Sequence, residues 1–140
     1  SKHKGIMLSD EAFMIYGIGT DIIAISRIDE IITKNGARFL DRIYTKQEQD
    51  IAATRADKAR FYALRWAAKE AAWKALSPGY QQGVGWHDLE VSATEDGKPL
   101  LTFHGTAAAF FDAETNGQGK TELSLSDDGG MALAFVVLFR

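Results

Sequence analysis

The segment from Asp57 to Leu76 constrains the fold of this chain more than any other part of the sequence. It is rich in alanine and contains neither Gly nor Pro, and Ser-Pro-Gly follows it at residues 77–79. Alanine has the highest helix propensity, whereas proline cannot continue a helix. The sequence therefore predicts one long helix against which the rest of the chain packs.

This helix has two different faces at 100° per residue. One face is apolar and mostly alanine, which allows close packing against a sheet: Phe61, Leu64, Ala67, Ala68, Ala71, Ala72 and Ala75. The other face carries larger and charged side chains: Tyr62, Trp66, Glu70, Trp73 and Lys74. Two tryptophans on a face that points to solvent indicate a pocket or a subunit interface.

Shorter patterns predict the remaining elements. Residues 14–25 are rich in β-branched and apolar residues, and at least the first half of this run predicts a buried strand. Asp21 or Ser26 starts the next helix, which stops at Gly36. The capping-box order Thr45 to Glu48 begins a short helix. Strands are expected at 84–94, 100–104, 121–126 and 131–139, with a helix at 106–114 and turns at 96–99 and 127–130. This order predicts an α+β fold, with helices packed on a mainly antiparallel sheet, in one domain at residues 14–140.

Composition excludes several classes of function. The net charge is −3, from 16 basic and 19 acidic residues, which argues against a broad nucleic-acid-binding surface. The absence of cysteine excludes disulfides and thiolate chemistry. No apolar run approaches the roughly 20 residues of a membrane span, and residues 1–13 lack the apolar core of a signal peptide. We therefore expect a cytoplasmic protein, with residues 1–13 as an extension that is either native or introduced by cloning.

A second informative segment, Gly-Ile-Gly-Thr-Asp, lies at residues 17–21. It is not a dinucleotide fingerprint, because Ile22 stands where the third glycine is required. Glycines in a strand are typical of close approach by another backbone, and Asp21 has the residue type of a helix N-cap. Taken alone, this segment favours a structural role.

The two segments together provide two carboxylates and neighbouring lysines. Asp21 and Glu70, from distant parts of the chain, are suited to holding a divalent metal beside phosphate oxygens. The structural alternative is an ordinary i,i+4 pair of Glu70 and Lys74, worth about 0.2–0.5 kcal/mol, with Lys69 as a solvated lysine.

Ordered motifs extend through the chain. They are Met-Ile-Tyr-Gly-Ile-Gly-Thr-Asp at 14–21 with Arg27-Ile28, Arg-Ile-Tyr-Thr-Lys-Gln-Glu at 42–48, Ala-Ala-Lys-Glu-Ala within 65–76, Gly-Lys-Pro at 97–99 and Leu-Ser-Leu-Ser at 123–126. In these motifs the chain resembles the holo-acyl-carrier-protein synthase family of 4′-phosphopantetheinyl transferases, over residues 14–139.

The resemblance implies a reaction and its residues. Coenzyme A would donate 4′-phosphopantetheine to a serine of apo acyl carrier protein, releasing adenosine 3′,5′-bisphosphate, in support of fatty acid biosynthesis. Asp21 and Glu70 would bind Mg²⁺, and both would be catalytic together with Lys74. Lys74 would also contact the coenzyme A pyrophosphate, and Arg65 and Lys69 its other phosphates.

The resemblance also implies partners. Family members are typically compact homotrimers with active sites between subunits, and they receive the acidic carrier protein on basic residues of the first helix. Arg27 matches one such residue, and Arg38 and Arg42 extend the basic patch.

Two positions depart from the family pattern. Asp127 stands where many members have histidine, and it is interpreted either as a turn former or as a polar contact in the site; Ser77 replaces a common glycine. His3, His87 and His104 lack metal-ligand spacing and receive no role. Two other functions stay open: a transferase for polyketide or peptide carrier domains, and a non-enzymatic coenzyme A or nucleotide-binding module.

Overall fold

The computed structural model describes residues 12–76 and 83–140, so the expected helix stop at 77–79 and the departure at Ser77 lie outside the described residues. The elements are β1 (Ile15–Ala24), α1 (Ile25–Asn35), α2 (Ala37–Ile43), α3 (Lys46–Ala52), α4 (Lys58–Ala75), β2 (Leu89–Ala93), β3 (Pro99–Phe103), α5 (Gly105–Thr115), β4 (Lys120–Asp128) and β5 (Met131–Phe139). The predicted α+β class is confirmed. No helix in the described ranges is long and apolar enough to cross a membrane.

The strands form two antiparallel sheets. β5 lies between β1 and β4 in a three-stranded sheet, and β2 and β3 form a separate hairpin. Along β5 the side chains alternate, so that Ala132, Ala134, Val136 and Leu138 are buried in the core, whereas Met131, Leu133 and Phe135 are exposed. Because side chains in a strand point to alternate faces, one face of this sheet packs on α4 and the opposite face is left apolar and exposed.

α4 lies directly on β1 because glycines occupy the points of contact. A Cβ atom on Gly19 would be 1.8 Å from the carbonyl oxygen of Ala71, and one on Gly17 would be 2.1 Å from that of Ala75. Neither distance is possible without moving the backbone. The close approach expected from the glycine segment is therefore present, and it is the alanine-rich face of α4 that makes it.

We expect Gly19→Ala to destabilise the protein by about 3 kcal/mol, because overpacking costs about 1–3 kcal/mol even when side chains can adjust. Here the added methyl group meets backbone, which cannot. The free energy of unfolding in urea measures the effect. Gly85→Ala is a matched control, because no atom lies within 4 Å of its added Cβ. Equal stability of Gly19→Ala and the parent protein would contradict the proposed contact.

The local predictions differ from the structure in four places. Of the strand predicted at 84–94 only Leu89–Ala93 is a strand, and Trp86–Asp88 before it is a short 3₁₀ helix. α1 begins at Ile25 with Ala24 as its N-cap, so the predicted helix starts at Asp21 and Ser26 are wrong. α2 was not predicted from the sequence. Asp127 lies within β4, opposite Ala132, and Gly129 and Gly130 make the turn with positive φ angles of 57° and 79°. Glycine adopts such angles most easily, so the interpretation of Asp127 as a turn former is wrong.

The aromatic face of α4 is partly covered by other residues of its own chain. Trp86 contacts both tryptophans of the helix, with ring centroids 5.4 Å from Trp66 and 4.7 Å from Trp73. Phe39 lies 6.0 Å from Trp66, and Tyr62 is buried. These contacts leave Trp66, Trp73 and Trp86 partly exposed, so the expectation that this face borders a pocket or a neighbouring subunit stays a prediction.

Candidate active site

Asp21 lies in the middle of β1, paired with Ala134 of β5. It follows Gly19 by two residues, so it is on the strand face that contacts α4. Its side chain is only 15% exposed. The position excludes an N-cap role for Asp21 and directs its carboxylate towards the long helix.

Glu70 and Lys74 of α4 complete a cluster with this carboxylate. The Lys74 ammonium donates to Asp21 Oδ1 at 3.2 Å and to the carbonyl oxygen of Thr20 at 3.0 Å. Burial raises the pKa of the half-buried Glu70, the negative charge of Asp21 raises it further, and Lys74 opposes the shift. The structure thus brings Asp21, Glu70 and Lys74 together. The ion pair of Lys74 is with Asp21 of β1, whereas the structural alternative had paired Lys74 with Glu70.

The donor set of this cluster fits Mg²⁺. Within the parts of the chain that the structure describes, no group of three or more His, Cys, Asp or Glu side chains could enclose a metal ion. Mg²⁺ is usually held by one or two carboxylates together with water and substrate phosphates. Asp21 and Glu70 are sufficient for that open type of site, and they lack the ligand number of a closed protein cage.

Lys69 lies elsewhere, in the core. Its ammonium is completely buried and contacts Glu48 Oε1 at 2.9 Å and the carbonyl oxygens of Trp86 at 3.1 Å and Leu89 at 2.5 Å. A lysine ammonium has three donors, and all three are used. The prediction that Lys69 contacts a coenzyme A phosphate is therefore wrong, as is the alternative of a solvated lysine.

Arg65 faces a separate cavity of about 330 Å³ whose lining includes Arg55, Arg60 and Asp127. Its guanidinium lies 3.9 Å from the centroid of the Phe61 ring, and burial lowers its pKa to about 10. Arg60 makes two hydrogen bonds to the Asp127 carboxylate, at 2.7 and 3.0 Å. Asp21, Glu70 and Lys74 do not line this cavity.

Two of these cavity residues were missed from the sequence. The only available signal for Arg55 and Arg60 is that arginine recurs every five residues up to Arg65. That interval does not place side chains on one face of a helix, so it did not indicate a common site.

The predicted partner-binding arginines are on the surface of the first two helices. Arg27 is exposed on α1, and Arg38 and Arg42 are exposed on α2. The two described histidines are hydrogen-bonded within the chain, His87 with the carbonyl oxygen of Asp41 and His104 with the carboxylate of Glu90.

Comparisons with known proteins identify the family of this chain. The model of the 4′-phosphopantetheinyl transferase superfamily matches residues 17–132. A holo-[acyl-carrier-protein] synthase of Geobacter metallireducens is 44% identical, covering 91% of this chain and 99% of the relative. One from Rhodopseudomonas palustris is 46% identical, covering 89% and 93%.

Solved structures are similar over nearly the whole fold. The holo-[acyl-carrier-protein] synthase of Neisseria meningitidis superposes with a TM-score of 0.76 at 33% identity, covering 89% of this chain and 98% of that one. The Bacillus anthracis synthase, solved in complex with coenzyme A (3′,5′-ADP), gives 0.72 at 34% identity, covering 90% and 97%. The chain therefore belongs to the holo-[acyl-carrier-protein] synthase family of the 4′-phosphopantetheinyl transferase superfamily.

Proposed function

We propose that this protein transfers 4′-phosphopantetheine from coenzyme A to a serine of apo acyl carrier protein, releasing adenosine 3′,5′-bisphosphate, in support of cytoplasmic fatty acid biosynthesis. The observation that carries the proposal is the cluster of Asp21, Glu70 and Lys74 at the contact of β1 and α4. In the reaction, the serine oxygen forms a bond to the β-phosphorus of coenzyme A, and the bond from that phosphorus to the bridging oxygen breaks.

Each residue of the cluster has a role in this proposal. Asp21 and Glu70 would hold Mg²⁺, which when bound would neutralise the pyrophosphate. Glu70 is also suited to accept the serine proton, because burial and Asp21 raise its pKa. Lys74 would contact the pyrophosphate as a mobile point charge, since its side chain is 55% exposed.

We propose that the active site forms between subunits of a homotrimer. Support comes from the exposed apolar face of the three-stranded sheet, formed by Ile18, Ile22, Met131, Leu133 and Phe135, because contiguous apolar surface of this kind is typical of interfaces. The cavity at Arg65 lies apart from Asp21 and Glu70, so in this proposal Arg65 binds coenzyme A held by a neighbour. Sedimentation equilibrium is expected to give three times the chain mass of 15.4 kDa; a monomer would contradict the trimer.

We propose that the carrier protein docks on the basic surface formed by Arg27, Arg38 and Arg42, which are all exposed. Arg27→Ala is expected to weaken carrier binding about fivefold at low salt and less at high salt, because ions screen exposed charges. Calorimetric titration with apo acyl carrier protein measures this. Lys120→Ala, which removes an exposed positive charge on β4 outside that surface, is the control. Unchanged affinity of Arg27→Ala would refute this docking surface.

The proposed reaction is tested by mass spectrometry. Apo acyl carrier protein incubated with this protein, coenzyme A and Mg²⁺ is expected to gain the mass of one phosphopantetheine group, at its serine. A protein that binds coenzyme A without producing the mass shift would be a non-enzymatic binding module, and the proposed function would be wrong.

A further inference from the structure

Lys74 has a contact in the structure that conflicts with its proposed role. Its ammonium is bound to Asp21 Oδ1 and to the carbonyl oxygen of Thr20, whereas the proposed reaction needs it at a phosphate. We propose that Lys74 is an internal cation that competes with the metal ion for Asp21 and leaves that carboxylate when the metal ion binds. This inference rests on the metal site of the proposed function.

The charges around Asp21 supply the reason for competition. Glu70 and Asp21 are close enough that Asp21 raises the pKa of Glu70, so the cluster holds two acidic groups with Lys74 as their neighbouring cation. A Mg²⁺ ion ligated by Asp21 would lie about 2.1 Å from a carboxylate oxygen. The Lys74 ammonium is 3.2 Å from Oδ1 of the same group. Two cations within a few ångströms repel each other strongly in a partly buried site. Binding of the metal ion and of the Lys74 ammonium to Asp21 at the same time is therefore unfavourable in free energy.

The structure also indicates which of the two residues moves. Asp21 is 15% exposed and lies in a strand that is hydrogen-bonded to β5 and fixed against α4 by Gly17 and Gly19. Lys74 is 55% exposed, in the last turn of α4, and its side chain has four rotatable bonds. Lys74 therefore turns outward while Asp21 stays in place. A lysine released in this way becomes available to a phosphate only when the metal site is filled.

The test measures direct binding of Mn²⁺ in the absence of coenzyme A. The electron paramagnetic resonance signal of the free ion reports how much Mn²⁺ is unbound. Lys74→Met is expected to bind Mn²⁺ about fivefold more tightly than the parent protein, which is the upper end for loss of a partly exposed ion pair. Lys74→Arg keeps the charge and the donors and is expected to bind no more tightly. Lys98→Met, which breaks the exposed pair with Glu122, is the control and is expected to leave the affinity unchanged.

The outcomes separate this inference from the proposed function. Equal or weaker binding by Lys74→Met, or tighter binding by Lys74→Arg, overturns the competition and leaves the mass-shift test of transfer unaffected. Binding by Lys74→Met alone, with none by the parent protein, supports the competition in its strongest form. If no variant binds Mn²⁺, the inference is wrong, because no metal ion then competes with Lys74 for Asp21 in the free protein; the mass-shift test of transfer is unaffected. Lys74 is largely exposed, so these variants are expected to fold like the parent.

Discussion

Glu70→Gln is expected to lower kcat/KM for phosphopantetheinyl transfer at least about 100-fold, and Asp21→Asn to do the same. Even changes in the outer shell of a metal site cost about 10–100-fold, and these two changes remove proposed ligands. The amide keeps the size of each side chain but not its charge. Initial rates with apo acyl carrier protein at saturating coenzyme A and Mg²⁺ measure the loss.

The control for this prediction is Glu95→Gln, which changes an exposed glutamate outside β1 and α4. It removes the same charge and is expected to retain full activity. Circular dichroism melting should show that Glu70→Gln stays folded, because Glu70 is only half-buried. Near-normal turnover by Glu70→Gln would show that the assignment of Glu70 as a metal ligand and catalytic residue is wrong.

Lys69→Met is expected to lower the free energy of unfolding by about 3–5 kcal/mol, because it leaves Glu48 as a buried charge without its counter-ion. Both side chains are completely buried. Burial lowers the pKa of Lys69, and Glu48 opposes that shift. Glu48 also accepts hydrogen bonds from the backbone N–H groups of Thr45 and Val91, so its carboxylate cannot simply turn to solvent. Urea denaturation measures the loss.

Two comparisons test whether the buried pair is the cause. The double variant Glu48→Gln with Lys69→Met should lose less stability than the sum of the single changes. Lys46→Met breaks the exposed pair with Asp50 and should change stability by less than about 1 kcal/mol. If folded Lys69→Met shows a raised KM for coenzyme A with unchanged stability, the structural assignment fails and a phosphate role for Lys69 returns.

The candidate cluster was predictable because each of its members has a local signal. Glycines at 17 and 19 indicated a close backbone contact, and an alanine-rich helix supplied the other surface. Once those two elements touch, Asp21 and Glu70 must be neighbours. The capping box at Thr45 and Glu48 was also readable, and both of its hydrogen bonds are present.

The contacts that the sequence did not reveal are made with distant parts of the chain. Helix periodicity placed the two tryptophans of α4 on an outer face, and nothing local in the sequence showed that Trp86 would pack against both of them. Lys69 adjoins Glu70 in sequence, but the helical step of 100° places it on a different side of α4, where it forms an ion pair with Glu48 of α3. Asp127 was interpreted from its neighbouring glycines, whereas its partner Arg60 is 67 residues away.

The contact between β1 and α4 has a consequence for how this protein tolerates sequence change. The placement of Asp21 beside α4 depends on the close approach of the helix at Gly17 and Gly19, where a Cβ atom would lie 2.1 and 1.8 Å from carbonyl oxygens of the helix. Conservative substitutions in the interior away from this contact, such as at Leu101 of β3, are expected to alter stability more than the position of the Asp21 carboxylate. A single methyl group on either glycine would therefore disturb both the packing of the fold and the position of the Asp21 carboxylate beside Lys74, so one substitution would affect stability and the candidate site together.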